Sequence, residues 1–140
     1  METNEKKAQE IYMEYQMLEQ GIKQLQKQLE MVTQQIMEVA STSSSLEELK
    51  KVKEGTEILV PVSSGIFARA SIKDASELLV NVGSGVVVKK TIEDAKKLLE
   101  GQVDEMRKVQ KHMVDELEKM AGKAESLEKQ LQSMMPQQAE

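Results

Sequence analysis

The chain has 140 residues, of which 39% are hydrophobic, 31% are charged and only 2% are aromatic, and its formal net charge is −5. One Phe, two Tyr and no Trp cannot supply the bulky centre of an ordinary globular domain, so long amphipathic helices are favoured. The acidic balance argues against nucleic acid or an anionic membrane as the main partner, and without Cys the chain forms no disulfide and offers no thiol nucleophile.

The first predicted element is a long coiled-coil helix. Apolar side chains recur at alternating steps of four and three residues from Ile11 to Val39, an unbroken seam of four heptads. The serine run 41–45 interrupts this seam, but Leu46 restores its phase. We therefore interpret the run as a weak point within the helix rather than as its end, and Gly55 is the expected C-cap.

The middle of the chain, 57–90, predicts two β-hairpins. Short runs of β-branched residues flank the turn sequences SSG and GSG, and the surrounding phrase repeats after 20 residues, as VPVSSGIFARA from Val60 and VNVGSGVVVKK from Val80. A three-residue loop that ends in Gly predicts a type I turn followed by a left-handed residue, at Gly65 and at Gly85.

The second predicted helix runs from about Ile92 to Met134 and begins at a capping-box-like pair, Thr91 and Asp94. Its predicted seam consists of Leu99, Met106, Val109, Met113, Leu117, Met120, Ala124, Leu127, Leu131 and Met134. Two successive steps of four residues, between Val109 and Leu117, predict a stutter that locally unwinds the supercoil.

The two seams can pair antiparallel in register. Positions 11 and 134, and equally 46 and 99, sum to 145, and the polar seam positions Ser43 and Gln102 meet at the same sum. The predicted fold is mainly α: a long antiparallel two-helix coiled coil with two β-hairpins at one end. The expected segments are an N-terminal helix (1–55), the hairpins (56–90), a C-terminal helix (91–135) and a short tail (136–140).

The hairpins are expected to assemble with other subunits. Two hairpins alone are marginal in water, and their apolar faces would aggregate unless covered, so strands from several subunits are predicted to close a β-barrel. Pro61 has no amide proton, so its strand should lie at an edge or turn that position outward. The expected assembly residues are Ile58, Val60, Val62, Ile66, Leu78, Val80, Val82, Val86 and Val88.

Methionine marks the other end of the predicted helix pair. Several side chains there lie off the seam, and Met is flexible and polarizable, which suits adaptable apolar contacts. We predict a binding tip, with ordinary surface Met near frayed ends as the alternative. Its residues are Ile11, Tyr12, Met13, Met17, Leu131, Met134 and Met135. For Met31 and Met37 the surface interpretation is favoured.

No catalytic set is recognisable in the sequence. His112 with Glu116 provides one imidazole and one carboxylate, too few ligands for a typical zinc site. The VGSGV stretch lacks the Gly-Lys-Ser/Thr phrase of a phosphate loop. We therefore expect no enzyme activity, cofactor or metal. The charged N-terminus has no apolar signal core, and no run approaches the ~18 apolar residues of a membrane helix, so a cytoplasmic protein is expected.

The phrases ILVPVSSGIFARASI and LLVNVGSGVVVKKTIEDA, between two heptad-patterned helices, resemble the prefoldin family. The resemblance is to the α type, which carries two hairpins where the β type carries one. Val86 stands where the family usually has an aromatic residue, and Ser63 replaces a common Gly.

This resemblance implies a hexamer of two α-type and four β-type subunits that holds non-native proteins at the coiled-coil tips without ATP. It also implies delivery of those proteins to a group II chaperonin. A filament-forming structural relative of prefoldin is the alternative.

Overall fold

The structure, a computed structural model, describes residues 2–134 and contains two long helices and two antiparallel strand pairs, which confirms the predicted fold class. The elements are α1 (Glu2–Leu49), β1 (Glu57–Ser63), β2 (Ile66–Ser71), β3 (Leu78–Gly83), β4 (Val86–Lys90) and α2 (Ile92–Met134). The chain divides into two compact units, each described by itself. The first joins the part of α1 up to Gln35 to the part of α2 from Met106, and the second comprises Ile36–Glu105.

Helix α1 continues through the serine run, as predicted. The hydroxyls of Thr42 and Ser45 donate to the carbonyls of Glu38 and Ser41, at 3.0 and 3.1 Å. Such back-bonding satisfies the hydroxyls inside the helix although it weakens helix propensity. Ser43 occupies the seam position and is half-buried.

The predicted C-cap at Gly55 is wrong, because α1 ends at Leu49. The N–H of Val52 closes the last turn on the Leu49 carbonyl at 3.1 Å. Gly55 instead opens the first hairpin: it has a φ of 85° and donates its N–H to the Ile72 carbonyl at 2.7 Å. The Ile72 N–H in turn donates to the Thr56 carbonyl at 3.1 Å.

Helix α2 carries an unbroken seam, and the predicted stutter is wrong. Val109 is 48% exposed, whereas the neighbouring Gln110 is half-buried. Val103 is also half-buried, while Gln102, the predicted seam residue, is exposed. With Val103 and Gln110 included, the seam steps from Leu99 alternate four and three residues throughout. The sequence interpretation placed the seam one residue too early at both positions, at Gln102 instead of Val103 and at Val109 instead of Gln110.

In the first unit the two helices run antiparallel. The Gln110 amide donates to the Thr33 hydroxyl at 3.0 Å, and the Lys123 ammonium lies 3.4 Å from the Glu14 carboxylate. Residue numbers therefore increase along α1 as they decrease along the facing part of α2. Ala124 and Leu127 are buried between them.

The second unit repeats this antiparallel arrangement where the helices approach the hairpins. Glu47 pairs with Lys96, and Lys50 lies 3.8 Å from Glu93. Thr91 directly precedes α2, and its hydroxyl accepts the Asp94 N–H at 3.1 Å, as an N-cap does. The buried apolar residues of this unit are Ile36, Ile92 and Ala95.

Each hairpin forms its own two-stranded antiparallel sheet. Val60 pairs with Ala68 in the first, and Val80 pairs with Val88 in the second. Pro61 lies opposite Phe67 in β1, which is an edge strand, as its missing amide proton requires.

The two turns differ, which corrects the prediction of a common geometry. In the first turn Gly65 alone has a positive φ, of 78°, as predicted for a left-handed residue at this position. In the second, Ser84 (φ 52°) and Gly85 (φ 74°) are both left-handed, as in a type I′ turn. The side-chain oxygen of Asn81 accepts the N–H of Gly83 at 2.9 Å and fixes the chain just before that turn.

Candidate functional site

The hairpins expose most of the apolar side chains that were predicted to mediate assembly. Val62 is 67% exposed, and Ile58, Val60, Ile66, Val82 and Val86 are also exposed. Leu78, Val80 and Val88 are half-buried within the second unit. The structure therefore leaves a largely uncovered apolar surface on both strand pairs.

Four apolar residues on the hairpins were missed by the sequence interpretation. Leu59, Phe67, Leu79 and Val87 lie on the opposite faces of their strands, and Leu79 is 73% exposed. The signal was present, because ILVPV and LLVNV place apolar residues at consecutive positions rather than at alternating ones. Consecutive apolar residues in a strand are typical of burial on both faces.

Salt bridges flank these surfaces rather than cover them. Arg69 lies 3.6 Å from Glu57 across the first hairpin, and Lys89 lies 4.0 Å from Glu77 beside the second. Each sheet has only two strands, so every strand leaves one edge unpaired within residues 57–90. Exposed apolar faces together with free edges favour the addition of strands from another chain.

The first unit contains a groove of about 660 Å³ between the beginning of α1 and the end of α2. Helix α1 supplies most of it, through side chains that recur about once per helical turn and thus share one face. The lining residues are Asn4, Glu5, Ala8, Gln9, Tyr12, Met13, Gln16, Leu131 and Met134. The groove combines an apolar surface with a rim of carboxamides.

The groove brings together four of the seven predicted tip residues: Tyr12, Met13, Leu131 and Met134. Ile11 is half-buried on the seam and does not line the groove. Met17 is 72% exposed but lies outside the lining as well. Met135 falls outside the described residues.

Ala8 and the three carboxamide residues were missed in the sequence. Ala8 is half-buried three residues before Ile11, so the seam extends one step further than predicted. Its small side chain fills less of the seam than the Leu and Ile that follow, which leaves room for a groove. The carboxamides carry no periodic hydrophobic signal, so the heptad pattern could not reveal them.

A second, smaller cavity beside the groove has an acidic lining. The carboxylates of Glu19, Glu125 and Glu128 and the ammonium of Lys23 line about 340 Å³. A hydrogen bond to Glu19 raises the pKa of Tyr15, and desolvation and the charge of Glu128 act in the same direction. The hydroxyl of Tyr15 thus stays protonated in a locally negative surface.

Residues 2–134 contain no cluster of three His, Asp or Glu side chains suited to a metal ion. Within the same range, no helix has the length and apolar content needed to cross a membrane.

The sequence matches the family model described as Prefoldin subunit over residues 18–137. The chain belongs to the prefoldin family. It is also 39% identical over 57 residues to Prefoldin subunit alpha of Thermofilum pendens, a match that covers 41% of this chain and 44% of that protein. The match thus spans less than half of that relative's length. The two hairpins and this similarity agree with the predicted α type.

A solved prefoldin has the same fold. The chain superposes on the cryo-EM structure of filamentous PFD from Methanocaldococcus jannaschii with a TM-score of 0.75 and 20% sequence identity. The superposition covers 81% of this chain and 93% of that one. At this level of identity, the similarity concerns the arrangement of helices and hairpins alone.

Proposed function

We propose that the chain is the α-type subunit of an ATP-independent holdase chaperone. Membership of the prefoldin family supports this class of function, and the apolar groove of the first unit is the observation that carries it. A client is here any non-native protein whose apolar segments are exposed. The groove offers Met, Leu and Tyr side chains to such segments.

The chemistry of the groove suits temporary capture. Met side chains adapt to different apolar shapes, so one surface accepts many clients. Each contact is weak, and several grooves acting together raise the overall affinity through effective concentration while each one releases quickly. This mechanism uses no nucleotide, metal or cofactor.

We propose that the hairpins provide the several grooves by assembling the subunit with partners. Their exposed apolar faces and free strand edges support such an assembly. Two chains of this α type with four β-type subunits would form the hexamer that the family resemblance implies. Transfer of clients to a group II chaperonin in the cytoplasm completes the proposal.

The test compares two pairs of exposed apolar residues in the assembled protein. Tyr12→Ser with Met13→Ser removes two groove side chains, whereas the control, Met31→Ser with Met37→Ser, removes two exposed methionines outside the lining of this groove. Light scattering measures how well each assembly suppresses aggregation of a chemically denatured client. We expect the groove variant to lose most of its suppression and the control to keep it. Equal suppression by both would refute the assignment.

A filament-forming structural role is the second candidate. The similarity of the fold to a filamentous relative favours it, because the same strand edges could propagate instead of closing. Electron microscopy of this chain mixed with a β-type subunit distinguishes the chaperone from the filament-forming role. Closed particles of uniform mass support the chaperone, and long fibres support the filament.

A further inference from the structure

The lining of the groove is mainly apolar but includes polar side chains that apolar capture alone does not explain. Three of its nine lining residues, Asn4, Gln9 and Gln16, carry carboxamides. A carboxamide offers two N–H donors and one carbonyl acceptor. Such groups match the donor and acceptor of an exposed peptide bond, whereas purely apolar side chains would suffice for a purely apolar ligand.

The spacing of two of these carboxamides fits an extended chain. Gln9 and Gln16 are seven residues apart on α1, which places them on one face about 10.5 Å apart along the axis. An extended peptide rises about 3.3 Å per residue, so the two amides can meet peptide groups about three residues apart. A helical ligand could not use them, because its backbone groups bond internally.

The charge of the lining favours basic ligands. Glu5 is the one charged residue among the nine, and no Lys or Arg lines the groove. Among the described residues Glu5 forms no salt bridge, and the neighbouring cavity adds three carboxylates against the one ammonium of Lys23. A ligand with Lys or Arg beside its apolar residues is therefore attracted, and an acidic one is repelled.

We propose that the groove binds extended apolar segments that carry a Lys or Arg, and that the carboxamides of Gln9 and Gln16 hydrogen-bond the segment's backbone. The proposal rests on the proposed function and specifies its client class. The subunit thus selects clients by unpaired backbone and charge as well as by hydrophobicity.

The backbone part is tested with the full-length chain and fluorescent nine-residue peptides of alternating Leu and Ser with a Lys at each end. One peptide is unmodified, one is N-methylated along its backbone and one is locked as a helix by a hydrocarbon staple. We expect N-methylation to weaken binding by about five- to tenfold in fluorescence anisotropy, the effect of losing one or two hydrogen bonds. The stapled peptide should bind as weakly.

Variants of the chain connect this loss to the two carboxamides. Gln9→Leu with Gln16→Leu keeps side-chain volume and should bind the unmodified peptide about as weakly as the N-methylated one. N-methylation should then have little further effect. The matched control, Gln20→Leu with Gln24→Leu, changes two exposed glutamines that do not line the groove and should bind as the natural chain does.

The proposed preference for basic ligands is tested with a peptide that has Glu in place of each Lys. The natural chain should prefer the Lys peptide, and Glu5→Gln should reduce that preference, while Glu10→Gln outside the groove should preserve it.

Equal binding of the linear, N-methylated and stapled peptides would overturn the proposal, as would tighter binding of the Glu peptide. If those results occur while Tyr12→Ser with Met13→Ser still abolishes binding, the groove captures clients by apolar contact and only this inference fails. If no peptide binds and the groove variant still suppresses aggregation, the proposed function fails with it.

Discussion

Single residues determine how closely the two helices approach. A Cβ built on Gly21 would lie 2.7 Å from the terminal methyl carbon of Met120, so this glycine gives room to a seam methionine. Gly101 and Gly122 have no atom within 4 Å of such a Cβ. The three glycines share a helical environment but differ in what faces them.

Replacing these glycines by alanine should therefore have unequal effects. Gly101→Ala and Gly122→Ala should each raise the free energy of unfolding by about 0.5–1 kcal/mol, because alanine favours the helix and nothing obstructs it. Gly21→Ala should raise the free energy of unfolding by less, since the Met120 side chain must move to make room for the added methyl group. Urea denaturation followed by circular dichroism at fixed protein concentration measures this. If Gly21→Ala raised the free energy of unfolding as much as the other two substitutions, the close approach of Met120 to Gly21 would be contradicted.

Glu47 makes a pH-dependent contribution to stability where it pairs, near the end of α1, with Lys96 near the beginning of α2. A hydrogen bond from Lys96 lowers the pKa of Glu47, and the charges of Lys50 and Lys96 act in the same direction. Because the folded-state pKa is depressed, the stabilisation is fully present above the ordinary Glu pKa of about 4.3 and is lost as pH falls through the lower folded value.

Glu47→Gln should consequently make stability less dependent on pH in this acid range, while stability near neutral pH falls slightly. Thermal melts at a series of pH values test this. Glu48→Gln is the matched control, since this exposed neighbour forms no salt bridge within residues 2–134. If Glu47→Gln left the pH dependence of stability in this acid range unchanged, the ion pair would not be its cause.

Whole elements were more predictable than their details. The heptad pattern of α1, including the phase kept by Leu46, predicted a continuous helix, and β-branched runs predicted all four strands. The second turn was predicted wrongly because the Asn81 side chain captures the Gly83 N–H, a contact that a turn sequence alone does not specify. Val109 was placed on the α2 seam wrongly, because Gln110 finds a polar partner in Thr33.

The Gln110–Thr33 pair gives a prediction for the helix pair as a unit. The Thr33 hydroxyl also donates to the Leu29 carbonyl at 2.8 Å, so Gln110→Leu leaves Thr33 with a partner. Polar residues on a coiled-coil seam set register at a cost in stability, so Gln110→Leu should raise the free energy of unfolding by about 1 kcal/mol.

Gln102→Leu tests the corrected seam directly in the same urea denaturation. Gln102 is exposed, so its replacement should change stability little. A larger gain from Gln102→Leu than from Gln110→Leu would restore the original seam assignment and its stutter.

For the whole molecule, the sequence indicated the exposed apolar surface of the hairpins better than it indicated the groove. Exposed strands with apolar residues have a general physical requirement for cover, which composition reveals. The groove depends on where Ala8 leaves space and on which glutamines border it, and neither has a periodic signature. The proposed client class therefore rests on side-chain placement alone.

Assembly through the hairpins and client capture in the groove should be separable by substitution. Val62→Asp with Val82→Asp places charge on the exposed hairpin faces and should dissociate the assembly in sedimentation velocity, whereas Met37→Asp adds charge to an exposed helix position and should leave it intact. Because weak contacts act together only in the assembly, the dissociated chain should need at least about tenfold more protein for equal suppression of aggregation. It should still bind the single nine-residue peptide normally, since one groove suffices. An intact assembly in this variant would contradict the role of the hairpins, and full suppression by a dissociated chain would contradict capture by several grooves together.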